Sequence, residues 1–143
     1  MTKVALRAWA AGFFDGEGYV GVRLNGHGRG RYLECKASNT EREPLDVLRQ
    51  HWGGSISSHR SSAVGAKPAW QWTITSRAAG LFLVAIEPYL VTPKNQQRVA
   101  LAIEFQAGKP RPGSRTTEDR IDIETDLHEQ IRKLNARGAL IPS

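Results

Sequence analysis

Cysteine is almost missing from this chain. One residue, Cys35, stands in 143, which excludes an intramolecular disulfide and any cysteine-built metal cluster. Its neighbours suggest a buried strand position. His27, His59 and His128 fall on unrelated segments and do not give the spacing of a zinc site. No apolar run approaches the roughly 18 residues of a membrane-spanning helix, and the N-terminus lacks the pattern of a secretory signal. An intracellular protein without a membrane partner is the expectation. No long tandem repeat is present. Acidic residues are in deficit: 14 Asp and Glu against 20 Lys and Arg leave a formal net charge of +6. That imbalance favours an anionic partner, nucleic acid first, over the plain alternative of a basic soluble protein. The length suits one domain with a true core.

What is present is led by one stretch, Ala10-Ala11-Gly12-Phe13-Phe14-Asp15-Gly16-Glu17-Gly18. Residues 2–14 contain no proline and are rich in Ala, Leu and Arg, so they read as a helix. Gly16 and Gly18 are expected to stop it and open a tight turn, which presents Glu17 at a helix C-terminus just ahead of a strand. The macrodipole is negative there, so a carboxylate calls for a compensating cation. A hard divalent metal, held by carboxylate and carbonyl oxygens, is one candidate. An ordinary polar turn is the other, since Asp and Gly are standard turn residues. Ala8, Ala11 and Gly12 fall at i, i+3 and i+4 and share one helix face, which Ala5 extends. A face that small lets a second backbone come close, in water as in membranes. Leu6, Trp9 and Phe13 are left to pack elsewhere.

Beyond the turn, Val20, Val22 and Leu24 alternate with Tyr19, Gly21, Arg23 and Asn25, a half-buried strand. A Gly-rich basic loop with His27, Arg29 and Arg31 follows. A second strand then sets Leu33, Cys35 and Ala37 on one face and Tyr32, Glu34, Lys36 and Ser38 on the other, which makes a hairpin. Thr40 and Glu43 have capping-box spacing, and Pro44 suits an early helical turn; Leu45, Leu48 and Trp52 give that helix its stripe before Gly53-Gly54 ends it. Residues 55–61 form a short strand with Ser58, His59 and Arg60, and a loop runs over 62–68. Trp70, Trp72 and Ile74 alternate with Gln71, Thr73 and Thr75; the tryptophans go to the core, and the polar set faces the same way as that of the first hairpin. Ser76 is expected to cap a helix ending at Pro88. Another opens at Lys94, a Pro/Gly/basic linker covers 108–113, and a last helix starts at Thr117. The order α-β-β-α-β-β-α-α-α, with four antiparallel strands in two hairpins, is an α+β sheet saddle.

The nonapeptide resembles the motif of the LAGLIDADG homing endonucleases. Ala11-Gly12, Asp15 and Gly18 match directly; Ala10 stands for Leu, Phe13-Phe14 for Leu-Ile, Gly16 for Ala and Glu17 for the last Asp. The element order is similar to the family's αββαββα core, here with C-terminal helices. The likeness covers roughly residues 4–106, with 107–143 as linker and terminal helix on the same domain. The resemblance implies that two such helices pack at their small residues, so Ala5, Ala8, Ala11, Gly12 and Asp15 are expected at a homodimer interface. It implies Mg²⁺ as cofactor, with Glu17 and the Gly16 carbonyl as ligands. It also implies Lys94, Asn39 and Arg42 as further catalytic residues, and double-stranded DNA as the partner.

Phosphodiester hydrolysis needs a positioned water, neutralised phosphate charge and a stabilised leaving oxygen, which metal ions on carboxylates supply. One motif brings one Glu17, so two copies are expected to act together, with Lys94 offsetting charge and Asn39 orienting water. An extended ribbon of Arg, Lys, Asn and Ser can read base edges in a major groove. The expected DNA contacts are Tyr19, Arg23, Asn25, His27, Arg29 and Arg31 from the first strand and loop. Tyr32, Glu34, Lys36 and Ser38 join them from the second strand, and Ser58, Arg60, Gln71, Thr73 and Thr75 from the second hairpin. Two other classes stay open: a non-cleaving protein of this kind, such as an RNA maturase or DNA-binding regulator, and a basic structural module whose Asp-Gly-Glu-Gly is only a turn.

Overall fold

Helix α1 runs Lys3–Glu17 in the computed structural model, which describes residues 1–26, 30–59, 68–111, 113–114 and 116–136. His27, Arg29 and Arg60 lie outside the described residues. The Thr2 side chain caps α1 by accepting from the Ala5 N–H at 3.0 Å. The helix passes through Gly16 and ends at Glu17, about one turn later than the two glycines suggested. Gly18 is where the chain turns: its N–H donates to the Phe14 carbonyl, and a Cβ there would strike the Phe14 ring. Space, not left-handed backbone, demands glycine at that position.

The chain then builds β1 (Gly18–Leu24), β2 (Arg31–Asn39), α2 (Glu43–Trp52), β3 (Ser55–His59), β4 (Ala69–Thr75), α3 (Ser76–Ile86), a 3-10 turn (Glu87–Tyr89), α4 (Pro93–Ala107) and α5 (Glu118–Asn135). The strands pair antiparallel in the order β1-β2-β4-β3, so two hairpins lie side by side with β2 and β4 at the centre. The α+β order read from the sequence is the order observed.

Helices cover one face of the sheet. Val20, Val22, Leu33, Cys35, Ala37, Trp72 and Ile74 point into a core completed by Phe14 of α1, Leu45 and Leu48 of α2, and Phe82 and Ile86 of α3, with Phe105 of α4 and Ile131 of α5. Phe82 sits at the centre, edge-on to Phe14 at 5.6 Å, Trp52 at 5.1 Å and Trp72 at 5.0 Å. The Trp72 indole N–H donates to the Gly53 carbonyl at 2.8 Å, which satisfies the polar atom of a fully buried ring. Helix α5 is fastened by buried Glu124, whose carboxylate pairs with Lys109 at 3.1 Å and Arg120 at 3.0 Å. Asn135 at its end donates to the Val20 carbonyl of β1 at 2.9 Å.

Three local expectations give way. The Thr40/Glu43 capping box does not form; α2 starts after Arg42 without a side-chain cap, while Asn39 Oδ1 accepts from the Glu41 N–H at 2.8 Å and shapes the turn itself. Ser76 is the first residue of α3 rather than its cap, with φ of 57°, a left-handed conformation that costs a non-glycine residue about 1 kcal/mol. Ser58 pairs with Trp70 and therefore lies on the helix side of β3, whereas Ser55 and Ser57 take the opposite face.

Candidate nucleic-acid interface and metal site

The end of α1 is held rigidly from behind. Asp15 accepts from the Val91 N–H at 2.8 Å and from Asn95 Nδ2 at 3.0 Å, which pins α1 to the entry of α4. Asn95 is buried, and its Oδ1 accepts from Arg98 Nη1 at 2.7 Å; Arg98 Nη2 in turn donates to the Leu134 carbonyl at 3.0 Å. Burial alone would raise the Asp15 pKa, but the hydrogen bonds from Val91, Asn95 and Thr92 outweigh it and hold the carboxyl below its ordinary 3.8. Asp15 thus serves its own chain.

Glu17, two residues on, has none of this. It is exposed, there is no basic residue in the last turn of α1, and among the described residues no salt bridge reaches it. Two adjoining depressions share its side chain. One is lined by Tyr19, Lys36, Ser38 and Gln71, the other by Ser38, Asn39, Thr40 and Ala69. Gly16, one residue earlier, lies in the final turn, where helix carbonyls lack intrahelical donors. The carboxylate therefore stands at the junction of α1 and the open sheet face, among hydroxyl, amide and ammonium side chains.

Of the other three catalytic candidates, Asn39 comes beside Glu17. Arg42 is engaged elsewhere: its guanidinium lies 4.9 Å from the Trp70 ring centroid and 3.2 Å from Asp46. Lys94 is half-buried in the first turn of α4, next to Asn95 and the Asp15 anchor, and no described contact joins it to Glu17.

The open face of the sheet is polar from edge to edge. Register sets Tyr19, Lys36, Thr73 and Ser55 in one row and Ser38, Gln71 and Ser57 in the next; Gly21, Glu34 and Thr75 form a third, and Arg23 stands opposite Tyr32. Lys36 Nζ lies 5.9 Å from the Tyr19 ring centroid. Asn25 and Arg31 stand at the hairpin end, where the Asn25 N–H closes onto the Gly30 carbonyl at 2.7 Å. The exposed groups are the donors and acceptors that serve nucleic-acid contacts. Ser55 and Ser57 went unassigned in the sequence; the signal was Ile56 between them, which packs against the core.

On α1, Ala5, Ala8 and Gly12 are exposed, as are Met1 and Val4, while Ala11 is buried against its own core. The small face is therefore divided, and Ala11 belongs to the inward part. A Cβ at Gly12 would meet nothing within 4 Å.

No family model and no curated protein sequence matches the chain. Solved structures do. The archaeal intron-encoded homing endonuclease I-Vdi141I, complexed with DNA, is similar at a TM-score of 0.74 and 14% identity over 99% of this chain and 91% of that one. The homing endonuclease I-CvuI, in complex with a DNA target in the presence of Mg, gives 0.71 and 16% over 97% of this chain and 88% of that one. The LAGLIDADG homing endonuclease I-LtrWI, bound to its target DNA, gives 0.63 and 16% over 99% of this chain but 46% of its own. The chain has the LAGLIDADG homing-endonuclease fold. Within that fold, the nonapeptide is the C-terminal half of α1 plus the first residue of β1, so its last acidic side chain falls at the helix-to-sheet junction. This chain matches nearly all of I-Vdi141I and I-CvuI, and under half of I-LtrWI.

Proposed function

We propose that this protein is a site-specific DNA endonuclease that acts as a homodimer on a long, near-palindromic duplex and depends on a divalent metal, Mg²⁺ first. The single observation that carries the proposal is the placement of Glu17. It is an exposed carboxylate, in no salt bridge among the described residues, at a negative helix end between an exposed small-residue face and a polar sheet face. Solved neighbours with the same fold include homing endonucleases with DNA bound, which supports the choice of substrate.

The donors at the end of α1 are all oxygen and suit Mg²⁺. Their number does not close within one chain: among the described residues, no three of His, Cys, Asp and Glu gather at one place. Glu17 and the Gly16 carbonyl would hold the ion, with the partner copy and the DNA phosphates completing its ligands. Bound there, the ion supplies Lewis-acid stabilisation of charge at the phosphate. The chain's own residues do the rest. Asn39, in the same depression as Glu17, orients water through the amide nitrogen that its turn hydrogen bond leaves free. Arg42, stacked on Trp70, steadies the β2–α2 turn that carries Asn39. Lys94 adds positive charge behind α1. This chain matches less than half of I-LtrWI, so a second copy of it would be needed to span a comparable length.

The test is cleavage of a supercoiled plasmid carrying sites selected from a random duplex library, with and without Mg²⁺. Wild type should linearise the plasmid only with metal. Glu17→Gln should bind the same site and leave it intact. If neither protein cuts yet both bind specifically, the chain is a non-cleaving DNA-binding protein. Cutting by Glu17→Gln at the wild-type rate removes Glu17 from the mechanism.

A further inference from the structure

Glu34 is an acidic residue at the centre of a face that otherwise presents cations and neutral polar groups. Its side chain is only 10% exposed. Arg23 Nε stands 3.8 Å and Lys36 Nζ 3.4 Å from the same oxygen, Oε1. Neither approach is a hydrogen bond, and Oε1 is a buried acceptor without a hydrogen-bond partner. The burial has a cause in the sequence. Gly21 is the direct cross-strand partner of Glu34, and the Tyr19 hydroxyl lies where a Cβ on Gly21 would be, so the tyrosine ring folds along β1 beside the carboxylate. Evolved surfaces that bind phosphate do not gain affinity from a carboxylate, so this one calls for a different role.

We propose that Glu34 is a positioning residue for DNA specificity: its charge draws the Nε end of Arg23 and the Lys36 ammonium toward one buried oxygen, and so biases the two Nη groups of Arg23 outward toward a groove. The inference rests on the reading of the open sheet face as the DNA surface. Arg23 is 53% exposed against 27% for Lys36, so the arginine tip is the part that reaches a groove. A planar guanidinium with both Nη groups free is the group that reads guanine O6 and N7 bidentately. Left untethered, the same arginine samples many rotamers and settles on phosphates, which bind it without regard to sequence. Glu34 is too buried to read a base itself and acts through Arg23. It lowers affinity for duplex in general and sharpens the choice at one base pair in each half-site.

The experiment compares wild type with Glu34→Gln, which keeps the shape and removes the charge. Binding is measured on the selected duplex, on duplexes changed at each half-site position in turn, and on an unrelated duplex, over a series of salt concentrations. Glu34→Gln should bind the unrelated duplex more tightly, and its salt dependence should steepen by roughly one phosphate contact. Its preference at a single position per half-site should fall by between about five- and a hundredfold, the range of one bidentate contact. A merely structural role would weaken all duplexes alike and leave the base preference unmoved; that result overturns the proposal. Unchanged preference and unchanged salt slope overturn it too, while the DNA-binding reading stands. Should Glu34→Gln not fold, Arg23→Lys on the exposed side decides: it keeps the charge and loses the fork, so it must lose preference at that position with the salt slope intact. Wild type that binds every duplex equally refutes the DNA-surface reading and this inference together.

Discussion

Two carboxylates two residues apart stand in opposite surroundings. Asp15 is hydrogen-bonded within its own chain, by Val91 and Asn95, while Glu17 is exposed and, among the described residues, in no salt bridge. A lowered Asp15 pKa means that the folded state binds the proton less readily than the unfolded state. The stabilisation is then present above 3.8 and is lost as pH falls below that value through the lower folded pKa. Asp15→Asn should cost about 1 kcal/mol at neutral pH, the scale of partly solvated hydrogen bonds. It should also flatten that acid limb of the stability curve, as urea melts between pH 7 and pH 2 would show. An unaltered acid limb would mean that Asp15 is not the group that titrates. The sequence singled Glu17 out, because the residue types around it resemble a known motif. It gave no sign of how Asp15, which shares the motif and is expected at an interface, is held within its own chain. The partners that claim it, Val91 and Asn95, are about 80 residues away in the chain, and no local pattern announces such a contact. Glu34 was legible as part of the polar face and not as a buried group, since alternation says which side a residue faces and nothing about the ring of Tyr19 lying beside it.

At the scale of elements, periodicity carried most of the information. Strands with clean alternation, such as Trp70, Trp72 and Ile74 against Gln71, Thr73 and Thr75, came out on the faces expected of them. Where alternation was thin, in a serine-rich strand, the faces were not legible: Ser58, expected among the DNA contacts, pairs with Trp70 on the helix side, and Ser55 and Ser57 take the open side. Helix α1 outlasted its glycines because Gly16 is tolerated inside a helix that is otherwise alanine-rich, at a cost of about 1 kcal/mol. Its small residues serve two directions. Ala11 closes onto the core, and Gly12 looks outward into open space. That separation makes Gly12→Leu a clean probe. Within one chain a Cβ there meets nothing within 4 Å, and leucine improves helix propensity by nearly 1 kcal/mol, so the thermal midpoint of the isolated chain should hold or rise. Between two copies, its branches occupy the space a neighbouring helix needs. Sedimentation velocity should show a dimer for wild type and a monomer for the variant; equal sedimentation of the two would take the dimer contact away from this face of α1.

For the whole molecule, the central claim is that one chain supplies one Glu17 and each Glu17 serves one strand of the duplex. The fold positions Glu17 where a helix with an exposed small face meets a four-stranded polar surface, and a twofold axis beside that helix would place two such surfaces in line along the DNA. The number of copies is the one thing that neither periodicity nor packing in a single chain can express, because it depends on a surface left without a partner. The most direct measurement co-expresses wild type and Glu17→Gln under different affinity tags, purifies the mixed dimer by both tags, and follows a supercoiled plasmid bearing the selected site in Mg²⁺. The account predicts that the mixed dimer converts supercoiled plasmid to nicked circle and stops there, while the wild-type dimer goes on to linear product. Linear plasmid from the mixed dimer at the wild-type rate, or failure to recover any mixed dimer in the presence of DNA, would contradict it.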